Sequence, residues 1–159
     1  MLPPLDGRPI RVVVHGSLGD YHASSSIRRR VIFLDSGVLA RHGEFERILL
    51  HEIFHFTWVR LSNAKRREWE RLLHAEISSR VRGELGWSSE WRKNSLLRAS
   101  PRLRDPRWRR YACESFCDTA SWIFAGIRLH DEFTLAARAK NQRRGWFQRQ
   151  FPADDPLPI

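Results

Sequence analysis

Between Ile48 and Val59 the chain reads I-L-L-H-E-I-F-H-F-T-W-V, apolar on every side except at His51, Glu52, His55 and Thr57. A segment apolar all round is a helix buried within a domain. Its imidazoles and carboxylate are then desolvated, at about 1–3 kcal/mol for each polar group left unpaired, so they need partners. Residues four apart lie one turn above each other on a helix face, so His51 and His55 can offer two imidazole nitrogens to one metal ion. Glu52 completes an H-E-x-x-H pattern and can reach a water beside that metal as a general base. The plain alternative is a pair of core histidines bonded to backbone carbonyls, with Glu52 at the surface.

The rest of the chain predicts a domain around that helix. At 159 residues and 42% apolar, with seven Trp, it is long enough for one globular domain spanning 1–159. It has no apolar run of about 18 residues, so no spanning helix is expected. The stretch Met1–Asp6 lacks a basic region followed by an apolar one, so no secretory signal is expected either. Cys113 and Cys117, four apart in a helical stretch, read as thiols of a reducing, cytoplasmic setting. The net charge of +10 favours an anionic partner: nucleic acid, an acidic protein segment or a membrane surface. The basic residues are scattered, however, as on a solvated surface.

Taken in order, residues 9–15 and Arg29–Leu34 are rich in β-branched and apolar side chains and predict two strands, joined by a polar connection. Residues 37–41 can form a short turn of helix before the buried helix, which should run from Glu44 to Leu61. Asn63 is the expected N-cap of an amphipathic helix to Arg82, with Trp69, Leu72, Leu73, Ile77 and Val81 at a 3.6 period. Gly83–Arg104 is irregular, with a short helix near 89–98; Trp87 and Trp91 there suit apolar subsite walls or a cover for the core. Asp105-Pro106 starts a helix to Phe124. A basic helix from Thr134 should break at Gly145, and the tail 152–159 should be mobile. The fold class is α+β, mostly helical, with a small N-terminal sheet on the metal-binding helix.

Two histidines and a water leave a tetrahedral metal one protein ligand short. Candidates are Glu114, Asp118, His15, His22, His42, His74 and His130. Glu114 and Asp118 sit one turn apart in an otherwise apolar stretch. One can bind the metal while the other accepts the outer N–H of a ligating histidine.

H-E-x-x-H followed on a later helix by E-x-x-x-D resembles the gluzincin branch of the zincin-like zinc metallopeptidases, over about 35 residues of the chain. The resemblance implies His51, His55 and Glu114 as ligands of one Zn2+ per chain, Glu52 as general base and Asp118 as the partner of His51. It implies a peptide or protein substrate, with the strand Arg29–Leu34 along the cleft. Cys113 stands where the group carries Asn. The group steadies its oxyanion with a Tyr or His, for which Tyr111 and His130 are the candidates, with Arg128 or Arg143-Arg144 as substitutes. The rival reading is a basic nucleic-acid-associated module whose zinc is structural or whose site is degenerate.

Overall fold

The computed structural model describes residues 2–41 and 43–159. His42, one of the candidate ligands, lies outside the described residues. The fold is α+β, with β1 (Leu5–Asp6), β2 (Arg11–His15), β3 (Ala23–Ser26) and β4 (Val31–Asp35) ahead of the helices. Then come α1 (Ser36–Leu39), α2 (Glu44–Arg60), α3 (Asn63–Ser78), α4 (Trp87–Asn94), α5 (Ser100–Leu103), α6 (Pro106–Phe124), α7 (Ala137–Gln150) and β5 (Leu157–Pro158).

The main sheet has the order β2-β4-β3, with β4 parallel to β2 and antiparallel to β3. Strand β3 lies in the stretch expected to be a polar connection. Its sequence, A-S-S-S, has no apolar alternation, and pairing with β4 through the backbone alone makes it a strand. Because β4 is paired on both sides, the strand expected along the cleft cannot offer a free edge. That position falls to β3, which packs beside α2.

Helix α2 starts behind Gly43 (φ 84°), with Glu44 and Glu46 in its positive first turn. Arg60 donates to the Phe56 carbonyl at 2.8 Å and closes its last turn. Helix α3 is capped by Ser62, one residue earlier than expected, whose hydroxyl accepts from Lys65 N. It ends at Ser78, short of Arg82. Arg80, at φ 54°, and the hydrogen bonds Arg80 N→Ile77 O and Val81 N→Glu76 O form a Schellman stop without the usual glycine. Asp105 caps α6 through Trp108 N, as its sequence predicts.

Helix α7 runs through Gly145 to Gln150. A helical glycine costs about 1 kcal/mol, and the burial of Trp146, Phe147 and Phe151 against Phe54, Trp69 and Phe116 outweighs it. The tail is docked, not mobile. Leu157 and Pro158 pair with Leu5 and Asp6, and Leu157 and Ile159 are buried in the aromatic core.

A second element of the interior is polar. Arg143 of α7 is fully buried between two carboxylates, with Nη2 at 2.6 Å from Glu76 Oε2 and Nη1 at 2.8 Å from Glu84 Oε2. Lys93 Nζ lies 3.2 Å from Glu84 Oε1, and the Tyr111 hydroxyl donates to the same oxygen at 2.6 Å. This cluster ties α3, α6 and α7 to the segment leading into α4.

Candidate metal centre

The two longest helices, α2 and α6, pack against each other and bring the H-E-x-x-H face to the E-x-x-x-D face. Nε2 of His55 is 3.1 Å from Nε2 of His51. Glu114 Oε2 lies 3.3 Å from His51 Nε2 and 3.9 Å from His55 Nε2. Bonds of about 2.0–2.1 Å in a tetrahedron put neighbouring ligand atoms about 3.3 Å apart, so the three atoms nearly match a single zinc-sized ion.

The outer nitrogens of both rings are occupied. His51 Nδ1–H donates to Asp118 Oδ1 at 2.7 Å, since an ionised carboxylate can only accept; this leaves Nε2 as the donor atom toward a metal. His55 Nδ1 lies 3.4 Å from Cys113 Sγ and 3.5 Å from Cys117 Sγ. Cys113 thus takes up a position beside the second imidazole that an amide could fill. His51, His55 and Cys117 also come within 4.8 Å of one another, close enough to hold a metal. Cys117 touches the Nδ1 edge of His55, while Glu114 faces the Nε2 atoms of both rings.

The electrostatics fit a cation site. Burial disfavours a charged His51, yet the Asp118 carboxylate and the hydrogen bond to Glu114 outweigh it and raise its pKa well above 6.5. Burial works against the Glu114 and Asp118 carboxylates too; His51 and His55 more than compensate at Glu114, and His51 with the Ser89 hydrogen bonds at Asp118, so both pKa values are lowered. The hydrogen bond from Cys117 draws the Cys113 thiol down to about 6 against its burial, with His55 adding to the effect.

Asp118 is itself held from the other side. Ser89 N, in the first turn of α4, donates to its Oδ2 at 3.0 Å. Gly86 lies so close that a methyl group there would overlap the Asp118 carboxylate. Gly86→Ala should therefore displace Asp118 and free His51. We expect metal affinity to fall about 10–100-fold, the effect of losing such a partner, as read by competition with a chromophoric chelator. Far-UV circular dichroism should be unchanged.

Above the three donor atoms lies an open cleft of about 710 Å³. Helix α2 contributes His51, Glu52 and His55, β3 contributes Ala23, Ser24 and Ser25, and α4 contributes Trp87, Trp91 and Arg92. Among the described residues, Glu52 makes no ion pair, and its carboxylate lines this cleft. Tyr21, from the loop before β3, also borders it.

The structure separates the other candidates from the cleft. Tyr111 is fully buried with its hydroxyl on Glu84, which raises its pKa well above 10.0, burial being the larger cause. His130 is bonded at one ring nitrogen to Glu44 and accepts from Glu132 N at the other. Neither lines the cleft, which corrects the expectation of an oxyanion donor in either. Arg143 is locked in its carboxylate cluster, and Arg144 stacks over Trp122 at 4.3 Å. His15 packs on Phe33 and His74 sits near Trp108, whereas His22 lines a smaller adjoining cavity together with His51, Glu52 and Asp118 but is not among the side chains that converge there. Tyr21, Gly86, Ser89 and Arg92 escaped the sequence reading. Only Tyr21 had a signal available, since the chain has two tyrosines and its loop is polar.

Among the described residues no helix is long and apolar enough to cross a membrane. No protein-family model, curated protein or solved structure matches this chain.

Proposed function

We propose that this protein is a zinc-dependent peptidase of zincin-like design, binding one Zn2+ per chain through His51, His55 and Glu114. The observation that carries the reading is the convergence of His51 Nε2, His55 Nε2 and Glu114 Oε2, 3.1–3.9 Å apart, under a cleft that also holds Glu52. When bound, zinc supplies Lewis acidity to a scissile carbonyl and to water. Asp118 orients His51 and, with Ser89, keeps its own charge fixed. Glu52 takes the proton of the attacking water and passes it to the leaving amine. The unpaired edge of β3 offers backbone groups to an extended polypeptide, which would add as a further strand. In place of Tyr111 and His130, Tyr21 is the candidate for donating to an oxyanion, because it borders the cleft. The free thiols suit a reducing compartment, consistent with a cytoplasmic enzyme.

A structural zinc would call for a fourth protein ligand. The open side of this cluster faces the cleft instead, which favours a peptidase over a nucleic-acid-associated module. Metal analysis after dialysis against buffered zinc tests the reading. We expect about one zinc per chain, with hydrolysis of a casein substrate that a chelator stops. Glu114→Ala should weaken zinc binding by more than about 100-fold, beyond the loss of a ligand's hydrogen-bond partner, whereas Cys117→Ser should retain the metal. The opposite pattern would transfer the third ligand to Cys117 and remove the gluzincin-type mechanism.

A further inference from the structure

The cleft carries features that the reaction alone does not use. Tyr21, Trp87 and Trp91 on its border are 71%, 64% and 53% exposed. Trp87 and Trp91 stand one turn apart on α4, with ring centroids 5.9 Å apart and planes within 1° of parallel. Large aromatic side chains left in water around a concavity mark a surface that a ligand covers. The helix that carries the two tryptophans is anchored at its first turn, where Trp87 N donates to Glu132 Oε2 at 2.7 Å and Ser89 N to Asp118.

Arg92 lies beside them, its guanidinium carbon 4.7 Å from the centre of the Trp91 ring. Its Nε is buried and has no hydrogen-bond partner among the described residues, and no carboxylate there forms an ion pair with it. Arg47, whose Nε is also buried and unpaired, still meets Glu44 and Glu132 through its Nη atoms; Lys93 and Arg143 meet carboxylates, and Lys65, Arg66 and Lys140 donate to backbone carbonyls. Among the described residues Arg92 is also the one Arg or Lys lining the cleft. A solvated surface arginine would keep Nε in water; leaving it dry and unpaired is costly. A guanidinium laid on an indole face has its fork of N–H donors fixed in a plane, the geometry that grips a carboxylate with two parallel hydrogen bonds.

We propose that Arg92, seated on Trp91, recognises a carboxylate of the bound polypeptide, next to an apolar side chain that covers Trp87 and Tyr21. The substrate class rests on the peptidase reading above; the carboxylate site does not. An Asp or Glu side chain and the C-terminal carboxylate of a peptide present the same pair of oxygens, and one experiment separates them. Fluorescein-labelled decapeptides with a single Phe carry Glu or Gln on either side of it in turn, each with a free or an amidated C-terminus. Binding is read by anisotropy with Glu52→Gln protein, both zinc-loaded and chelator-stripped, and cleavage is read with the unaltered protein.

One carboxylate-bearing form should bind about tenfold or more tightly than its neutral counterpart, in line with a charge-assisted pair, with and without zinc. Glu against Gln identifies a side-chain source, and free acid against amide a terminal one. Arg92→Gln should erase the difference, and Arg92→Lys, which keeps the charge but loses the fork, should restore only part of it. Equal binding of all forms, or a preference that survives Arg92→Gln, overturns the proposal. Carboxylate-dependent binding without cleavage of any peptide would remove the peptidase reading and leave this site standing. Cleavage with no carboxylate preference would do the reverse.

Discussion

Under the proposed mechanism, Glu52→Gln is expected to bind zinc as the parent does and to lose peptidase turnover by about 10²–10⁴-fold, the range for removing a positioned general base. The substitution preserves shape and the capacity for hydrogen bonding, and Glu52 is not among the three atoms that converge on the metal position. Metal content and the unfolding midpoint should therefore match the parent protein. The loss should appear in kcat with KM little changed, because in the proposed mechanism the carboxylate acts on water and not on the peptide. Glu52→Asp, which withdraws the base by one methylene, should fall between the two. A Glu52→Gln protein that hydrolyses peptide at the parent rate would sink the mechanism while leaving the metal site untouched.

Arg143→Leu should destabilise the fold by about 3–5 kcal/mol, the usual consequence of removing one partner from a buried ion cluster. Arg143 meets Glu76 and Glu84 where none of the three side chains reaches appreciable water. Its removal leaves two buried carboxylates with Lys93 as the nearest cation. Chemical denaturation at neutral pH measures the effect. The pH dependence supplies a second check. In the parent protein burial opposes the Glu84 charge, but Arg143 and Lys93 outweigh it and lower its pKa from 4.5. Its contribution to stability is thus present above about pH 4.5 and fades as the pH falls through the lowered value. In Arg143→Leu the buried Glu84 carboxylate lacks that support and is more readily protonated, so the penalty should shrink on acidification. A penalty independent of pH would mean that Arg143 acts through packing alone.

The parts of this molecule legible in its sequence are those written in side-chain periodicity and caps. The buried helix around His51 and His55 and the helix opened by Asp105-Pro106 declare themselves locally, so their ends were placed within a residue or two. Strand β3 does not, because its serines carry no apolar pattern and its identity comes from the backbone of β4. Tyr111 shares a helix with Glu114, but Glu84, from 27 residues away, claims its hydroxyl. Arg92 could not be distinguished within a chain of 25 arginines; only its seat on Trp91 at the cleft, with a buried unpaired Nε and no carboxylate partner, singles it out. Gly145 looked like a helix stop because local propensity says so, and aromatic burial on the next two residues overruled it.

Eight residues of α4 serve two ends of the site at once. Ser89 steadies the carboxylate that orients His51, while Trp87, Trp91 and Arg92 border the proposed substrate surface. Thermodynamic linkage then requires reciprocity: whatever tightens this helix for one occupant tightens it equally for the other. A peptide seated on the tryptophans should raise the affinity for the ion, and a chelated protein should bind the peptide more weakly by the same factor.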